Sequence, residues 1–110
     1  MLKVLLSPEA ENDIADICTY ILKADGIDQA NQIVDRLEQA VFSLAKLPER
    51  GKCPPELSRI GIMEFREIQS PPWRIFYQVM ERNDEQTVWI MAVLDSRRGL
   101  EELLQRRLIG

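Results

Sequence analysis

Two amphipathic helix patterns in immediate succession constrain the fold of this chain more than any other feature of the sequence. Ser7, Pro8 and Glu9 form a helix start, because the serine hydroxyl can cap a free N–H group and proline is preorganised at the first helical position. Gly26 is expected to end this helix, and Asp28 is expected to cap the next one. Because so few residues separate the two patterns, they predict an antiparallel helical hairpin. Apolar residues recur at helical spacing along both helices: Ala10, Ile14, Ile17, Ile21 and Leu22 in the first, and Ile33, Val34, Leu37, Ala40, Val41, Leu44 and Leu47 in the second, which Pro48 is expected to stop.

The segments outside the hairpin favour β-strands. Residues 2–6 (LKVLL) are a compact apolar run with the length of a buried strand. After a loop rich in proline and glycine at 48–61, three segments are rich in β-branched and aromatic residues: IMEFREIQ (62–69), WRIFYQVME (73–81) and TVWIMAVLD (87–95). The polar turn at 82–86 implies that the last two pair as an antiparallel hairpin. Strand periodicity in the middle segment places Trp73, Ile75, Tyr77 and Val79 on one face, and Arg74, Phe76, Gln78 and Met80 on the other.

The order of these elements predicts an α+β fold. It reads β-α-α-β-β-β, followed by a short C-terminal helix within residues 99–110, and the helical hairpin is expected to cover one face of a mainly antiparallel sheet. At 110 residues we expect a single domain over 1–110.

Composition excludes several classes of site. The chain has no histidine and only two cysteines, Cys18 and Cys53, which are too far apart for a zinc motif, so we expect reduced thiols, no metal and no cofactor. The N-terminal apolar run is too short for a signal peptide or a membrane span, so we expect a cytoplasmic protein without a membrane partner. The net charge of −4 argues against a general nucleic-acid binder. Every arginine except Arg36 lies after residue 45.

Four segments carry a resemblance to a known family. They are LLSPEAENDIADICTYI, LAKLPERGK, WRIFYQV and VWIMAVLDSRR, and in this order and spacing they resemble the RelE/ParE superfamily of toxins from type II toxin–antitoxin systems. The resemblance covers nearly the whole chain. It implies a small cytosolic toxin, of the kind found in plasmid stabilization systems, that forms a hetero-oligomer with a cognate antitoxin. Members of the superfamily either cut mRNA in the ribosomal A site or poison DNA gyrase, and the fold alone does not separate the two activities.

The nuclease activity implied by the resemblance would need catalytic groups that this sequence supplies poorly. The candidates are Lys52, Arg74, Tyr77 and Arg97. The position ending the last strand, often histidine in the superfamily, is Asp95, and an ionised aspartate would repel a scissile phosphate. Arginine is a reluctant base, and Tyr77 alternates with core positions. We therefore favour a ParE-like inhibitor of DNA gyrase that acts by binding. A ribosome-dependent endoribonuclease, and a degenerate member that acts only through antitoxin binding and operon regulation, remain as alternatives.

The expected binding surface is a basic patch on the sheet face away from the helices. It would consist of Arg66, Arg74, Arg97 and Arg98, and it would contact gyrase, RNA or acidic residues of the antitoxin. Asp95 either belongs to this surface or holds one of the arginines in an ion pair. The alternative is an ordinary strand end, where Asp95 or Ser96 caps the terminal helix and the arginines are solvated. The antitoxin is expected to present an amphipathic helix and acidic residues to an exposed sheet edge and an apolar groove.

Overall fold

The computed structural model describes all 110 residues and contains a helical hairpin, a four-stranded sheet and two short helical segments. The elements are β1 (Lys3–Leu6), α1 (Pro8–Asp25), α2 (Ile27–Ser43), α3 (Pro55–Ser58), β2 (Arg66–Ser70), β3 (Trp73–Arg82), β4 (Glu85–Asp95) and α4 (Glu101–Leu104), which continues as a π-helical turn over Gln105–Ile109. The predicted α+β order is confirmed, and α3 is an addition that the sequence pattern did not predict. None of the helices has the length and apolar character that crossing a membrane requires.

The sheet has the strand order β1-β4-β3-β2. β1 runs parallel to β4, whereas β2, β3 and β4 are antiparallel neighbours, so the sheet is mainly antiparallel, as predicted. The β3–β4 register shifts after Phe76, which pairs with Ala92, because Tyr77 pairs with Ile90 and leaves Met91 as an extra residue in β4. This bulge matters for the site because it alters which β4 residues face the helices beyond Ile90.

A separate apolar core lies on each face of the sheet. The predicted alternation in β3 is confirmed: Ile75 and Tyr77 belong to the core under the helical hairpin, and Phe76 belongs to the core on the opposite face. The second core is covered by α3, by the C-terminal helix and by Phe65. The helix-side core consists of Ala10, Ile17, Leu37, Val41, Leu44, Ile68, Trp73, Ile75, Tyr77, Val88, Ile90 and Val93, and the outer core consists of Leu57, Phe65, Phe76, Ala92, Leu94, Leu100, Leu104 and Leu108.

The first helix starts after Ser7 and ends before Gly26, as the sequence predicts, but both predicted boundaries of the second helix change. The Ser7 hydroxyl accepts a hydrogen bond of 3.1 Å from the Ala10 N–H. Asp28 does not cap α2, because that helix already begins at Ile27, directly after Gly26, whose φ of 91° lets the chain reverse within one residue. The second helix ends at Ser43 rather than at Pro48.

The predicted start of β2 and the predicted cap of the terminal helix also need correction. β2 begins at Arg66, four residues after the predicted start, because residues 62–65 lead from α3 into the sheet without pairing. The terminal helix begins at Glu101 and has no side-chain cap, so neither Asp95 nor Ser96 caps it.

Candidate functional site

Arg74 is enclosed by two carboxylates and an aromatic ring on the outer face of the sheet. Its guanidinium donates to both oxygens of Glu56, at 2.6 and 2.8 Å, and to both oxygens of Glu67, with an Nε–Oε1 distance of 3.0 Å. The guanidinium carbon lies 4.9 Å from the centre of the Phe76 ring. Only 11% of the Arg74 side chain and 1% of the Glu67 side chain are exposed. Nearly all of the hydrogen-bonding capacity of Arg74 is therefore used inside the chain.

The electrostatics of this cluster favour the charged forms of Arg74 and Glu56. Hydrogen bonds to Glu56, and then to Glu67, raise the pKa of the Arg74 guanidinium above its usual value. The hydrogen bonds from Arg74 also hold the pKa of the Glu56 carboxyl below its usual value, although burial opposes this. Around the cluster lies a polar pocket of about 320 Å³ that also contains Lys52, Arg59 and Glu101. Three bases face three acids there, so the pocket has no net charge with which to attract a phosphate.

Arg66 lies on the opposite face of the sheet from Arg74. It pairs directly with Tyr77 across β2 and β3, and Tyr77 belongs to the core under the helices. The Arg66 guanidinium donates to the backbone carbonyls of Gly51, at 2.8 Å, and Glu49, at 3.3 Å. Arg66 therefore holds the loop after α2 against the sheet.

Tyr77 anchors the same loop. Its hydroxyl donates to the Pro48 carbonyl at 2.7 Å and accepts from the Gly51 N–H at 3.0 Å. The residue is fully buried, and burial raises the pKa of its phenol. Gly51 is tightly enclosed, because a Cβ atom there would lie 2.5 Å from the Tyr77 hydroxyl and 2.7 Å from the Glu67 carbonyl oxygen. The prediction that Tyr77 is a core residue is confirmed, with a polar end that fixes the loop.

Asp95, Arg97 and Arg98 form a turn at the end of β4. One Asp95 oxygen accepts from the Arg97 backbone N–H at 2.9 Å, and both oxygens accept from the Arg97 guanidinium, at 3.0 and 2.8 Å. These hydrogen bonds lower the pKa of Asp95 to about 2, and the bonds from the Arg97 side chain contribute more than the bond from its backbone N–H. The Arg97 side chain is 72% exposed. Arg98 makes no side-chain hydrogen bond and no ion pair, so its charge is free.

The predicted single basic patch is therefore wrong in its geometry. Arg66 faces the helix side, Arg74 is buried on the outer face, and Arg97 and Arg98 line a cleft against α1. Lys52 shares a pocket with Arg74, but its backbone is paired with Glu67 by hydrogen bonds of 3.1 and 2.7 Å. The candidates for nuclease chemistry are thus distributed over three places. The binding roles of the individual residues stay predictions.

The cleft beside Arg97 and Arg98 has a volume of about 410 Å³. One wall is α1 and the other is formed by the start of β3 and the end of β4. Its apolar floor includes Trp73, which is 8% exposed, and Tyr20 at the rim is 68% exposed. The cleft is lined by Asp13, Asp16, Ile17, Tyr20, Trp73, Val93, Leu94, Asp95, Arg97 and Arg98.

A second concave surface lies between the two helices at the β1 edge. This groove has a volume of about 280 Å³ and is lined by Leu6, Glu11, Ile14, Glu38, Val41 and Phe42. Its floor is apolar, and each helix contributes one exposed glutamate. β1 is an edge strand, so its outer backbone groups are not paired within the sheet.

Sequence reasoning missed the partners that decide the role of each arginine. Glu56 lies in α3, within the segment predicted as a loop, and Glu67 lies in β2, where the only available signal was that it alternates with Ile68 at the start of a strand. The ion pair of Asp13 with Arg107, at 2.7 Å, was also missed, because the two residues are 94 positions apart. Trp73 was assigned to a strand face and Tyr20 was not singled out, and only the fold brings the two into one cleft.

Comparison with known proteins gives consistent relatives. The family model of the ParE toxin of the type II toxin–antitoxin system parDE matches residues 4–100. Toxin ParE1 from Mycobacterium tuberculosis, in two strains, is 31% identical over 104 residues, which cover 93% of this chain and 97% of the relative.

Solved structures share the fold at low sequence identity. The chromosomal ParDE system from P. aeruginosa has a TM-score of 0.70 at 15% identity, over 86% of this chain and 96% of that one. A mutant of the E. coli toxin RelE in the free state has a TM-score of 0.64 at 12% identity, and the match covers 98% of this chain and 95% of that one. The toxin–antitoxin complex RelBE2 from M. tuberculosis has a TM-score of 0.57 at 20% identity, and the match covers 86% of this chain and 96% of that one.

Proposed function

The chain belongs to the ParE toxin family of type II toxin–antitoxin systems, and from this premise we propose that it inhibits DNA gyrase by binding and is neutralised by a cognate antitoxin. The observation that carries the choice of binding over RNA cleavage is the state of Arg74. It is buried against Glu56 and Glu67, so the strand arginine best placed to hold a phosphate is already neutralised.

The other groups that RNA cleavage would need support the same choice. An in-line attack needs a base for the 2′-hydroxyl, cations for the phosphate and an acid for the leaving oxygen. The Tyr77 hydroxyl is buried and bonded to two backbone groups, and burial raises its pKa, so less of it is present as the phenolate that could accept a proton. Asp95 has a pKa of about 2, so at neutral pH it is ionised and cannot act as the acid.

The antitoxin is proposed to use the groove between α1 and α2 together with the open edge of β1. An extended segment can add to the edge strand, and an amphipathic helix can place apolar side chains over Leu6, Ile14 and Val41. The two groove glutamates, Glu11 and Glu38, favour basic side chains on the segment that binds there. The acidic antitoxin residues expected from the sequence would instead contact the loop after α2, which carries Arg50 and Lys52.

The test separates the two targets in one set of measurements. The purified chain is added to DNA gyrase with relaxed plasmid and ATP, and supercoiling and cleaved plasmid are measured with and without the antitoxin. In parallel, the chain is expressed alone while DNA synthesis and protein synthesis are followed in the same cells. We expect loss of supercoiling and an early arrest of DNA synthesis. Early arrest of translation with cleaved mRNA on ribosomes, and unaffected gyrase, would instead identify the endoribonuclease.

A further inference from the structure

We infer that the cleft between α1 and the end of β4 is the surface through which this toxin contacts its protein target, and that it accepts a segment carrying an apolar side chain next to a carboxylate. This inference rests on the proposed function, because it assigns a surface to the binding that inhibits the target. It goes further in separating that surface from the antitoxin groove.

The residue types of the cleft are those that dominate the energy of protein interfaces. Trp, Tyr and Arg are the side chains most enriched at binding hot spots, and Trp73, Tyr20, Arg97 and Arg98 all line this one concave surface. Tyr20 is exposed although it lies on a helix whose neighbouring apolar residues are in the core. Ile17 and Val93 extend the apolar floor between them. An apolar side chain of a partner can therefore be buried between α1 and Trp73.

The Trp73 indole supports a role beyond folding. Its Nε1–H is buried and has no hydrogen-bond partner within the chain. A buried N–H without a partner is destabilising, and phenylalanine would fill much of the same space without that penalty. The stability of the fold does not explain an indole here, whereas a large flat ring in the wall of a binding cleft does.

The charges of the cleft determine which partner it fits. Asp13 is neutralised by Arg107, and Asp95 is neutralised by Arg97, so neither contributes a free charge. Arg98 is the base left without a partner, and it can bind a carboxylate in a bidentate manner. Asp16 on the opposite wall makes no internal hydrogen bond or ion pair, so the two free charges of the cleft cancel. The cleft therefore has no net positive charge to attract a chain of phosphates, whereas a single carboxylate can still bind Arg98 on the wall away from Asp16. The cleft therefore suits a short apolar protein segment with one carboxylate rather than nucleic acid.

The test uses the full chain and two variants at the cleft, Arg98→Glu and Tyr20→Ala. Both side chains are exposed, so both variants are expected to fold, and circular dichroism with thermal unfolding verifies this. The matched control is Arg82→Glu, which makes the same change of charge at the far end of β3, about 30 Å from Trp73 for a ten-residue strand. Trp73→Phe is a third variant, and both its thermal stability and its affinity for the target are compared with those of the wild type.

For each protein we measure the affinity for DNA gyrase, the inhibition of supercoiling, the growth arrest and the affinity for the antitoxin. We expect Arg98→Glu and Tyr20→Ala each to weaken target binding and inhibition at least tenfold, while antitoxin affinity changes less than twofold and Arg82→Glu resembles the wild type. Trp73→Phe is expected to lose target affinity without loss of thermal stability. Folded cleft variants with wild-type inhibition would overturn the assignment, and so would variants that lose antitoxin affinity instead.

Failure of the proposed function gives a different result. If the wild-type chain leaves gyrase unaffected but stops growth, the gyrase proposal fails, and loss of growth arrest in Arg98→Glu with intact antitoxin binding still supports the cleft. If a short duplex DNA or a single-stranded RNA binds the wild type, and Arg98→Glu abolishes that binding, then the occupant is nucleic acid and the inference is wrong.

Discussion

Arg74 on β3 holds Glu56 of α3 through two parallel hydrogen bonds of 2.6 and 2.8 Å, and this contact ties the loop after the helical hairpin to the sheet. The same guanidinium also neutralises Glu67, whose side chain is 1% exposed. An arginine that was expected to contact a partner thus has a structural role.

The first prediction concerns the loss of this arginine. Arg74→Ala leaves the buried Glu67 carboxylate without a counter-charge, so we expect the free energy of unfolding to fall by about 3–5 kcal/mol. Urea denaturation followed by circular dichroism measures the change. Arg82→Ala is the control, because this arginine is exposed at the other end of β3 and is expected to change stability by no more than about 0.5 kcal/mol.

A double substitution distinguishes the buried charge from lost packing. Arg74→Met combined with Glu67→Leu removes both partners of the most buried pair, and it is expected to be less destabilising than Arg74→Met alone, which keeps the same side chain over Phe76 but leaves Glu67 unpaired. Equal losses in the two proteins would mean that packing on Phe76, rather than the uncompensated carboxylate, dominates.

The second prediction is a dependence of stability on pH. The pKa of Glu56 is lowered in the folded chain from an ordinary value of 4.5, so its ionised form stabilises the fold. This contribution is complete above about pH 4.5 and is lost as the pH falls through the lower pKa of the folded state. Glu56→Gln should therefore be less stable than the wild type at pH 7, and the difference should shrink at pH 3. Glu81→Gln, at an exposed strand position, is expected to show no such convergence.

The third prediction tests Tyr77 as an anchor. Tyr77→Phe removes the donor to Pro48 and the acceptor for the Gly51 N–H, and the loss of these hydrogen bonds should reduce the free energy of unfolding by about 1–3 kcal/mol. Toxicity should persist at temperatures where the variant is folded. A variant that is as stable as the wild type but no longer toxic would show that the hydroxyl acts on a substrate.

The fourth prediction concerns Gly51, which has no room for a side chain. Gly51→Ala would place a Cβ atom 2.5 Å from the Tyr77 hydroxyl, so the loop must shift, at a cost of about 1–3 kcal/mol. In the Tyr77→Phe background this cost should be smaller but not zero, because the Glu67 carbonyl oxygen remains at 2.7 Å. Gly99→Ala is the control, since its nearest neighbour would be an ordinary contact at 3.8 Å. If the losses of stability from Gly51→Ala and Tyr77→Phe simply added in the double variant, the clash with the Tyr77 hydroxyl would be excluded.

The sequence predicted the fold well because its signals are local. The cap at Ser7, the hairpin at Gly26 and the alternation of Ile75, Phe76 and Tyr77 each depend on a few neighbouring residues. The candidate site depends on partners from distant parts of the chain. Alternation put Arg74 on the outer face but could not show that Glu56, in a segment predicted as a loop, would cover it. The bulge at Met91 also has no sequence signal, although it alters which residues after Ile90 face the cleft.

The last prediction concerns the contact between the C-terminal helix and α1. Asp13 accepts two hydrogen bonds from Arg107, at 3.2 and 2.7 Å, and one of its oxygens also accepts from the Val93 N–H at 2.9 Å. Asp13→Ala leaves the Val93 N–H without a partner and leaves Arg107 only its bond to the Met91 carbonyl, whereas Arg107→Ala leaves the Asp13–Val93 bond intact. We therefore expect Asp13→Ala to lower the free energy of unfolding by about 3 kcal/mol and Arg107→Ala by about 1 kcal/mol. Hydrogen exchange of residues 100–109 should accelerate in both variants, because Arg107 links that helix to the rest of the fold. If Arg107→Ala were the more destabilising change, the arginine would contribute mainly through its packing and its bond to the Met91 carbonyl, at 3.3 Å, rather than through Asp13.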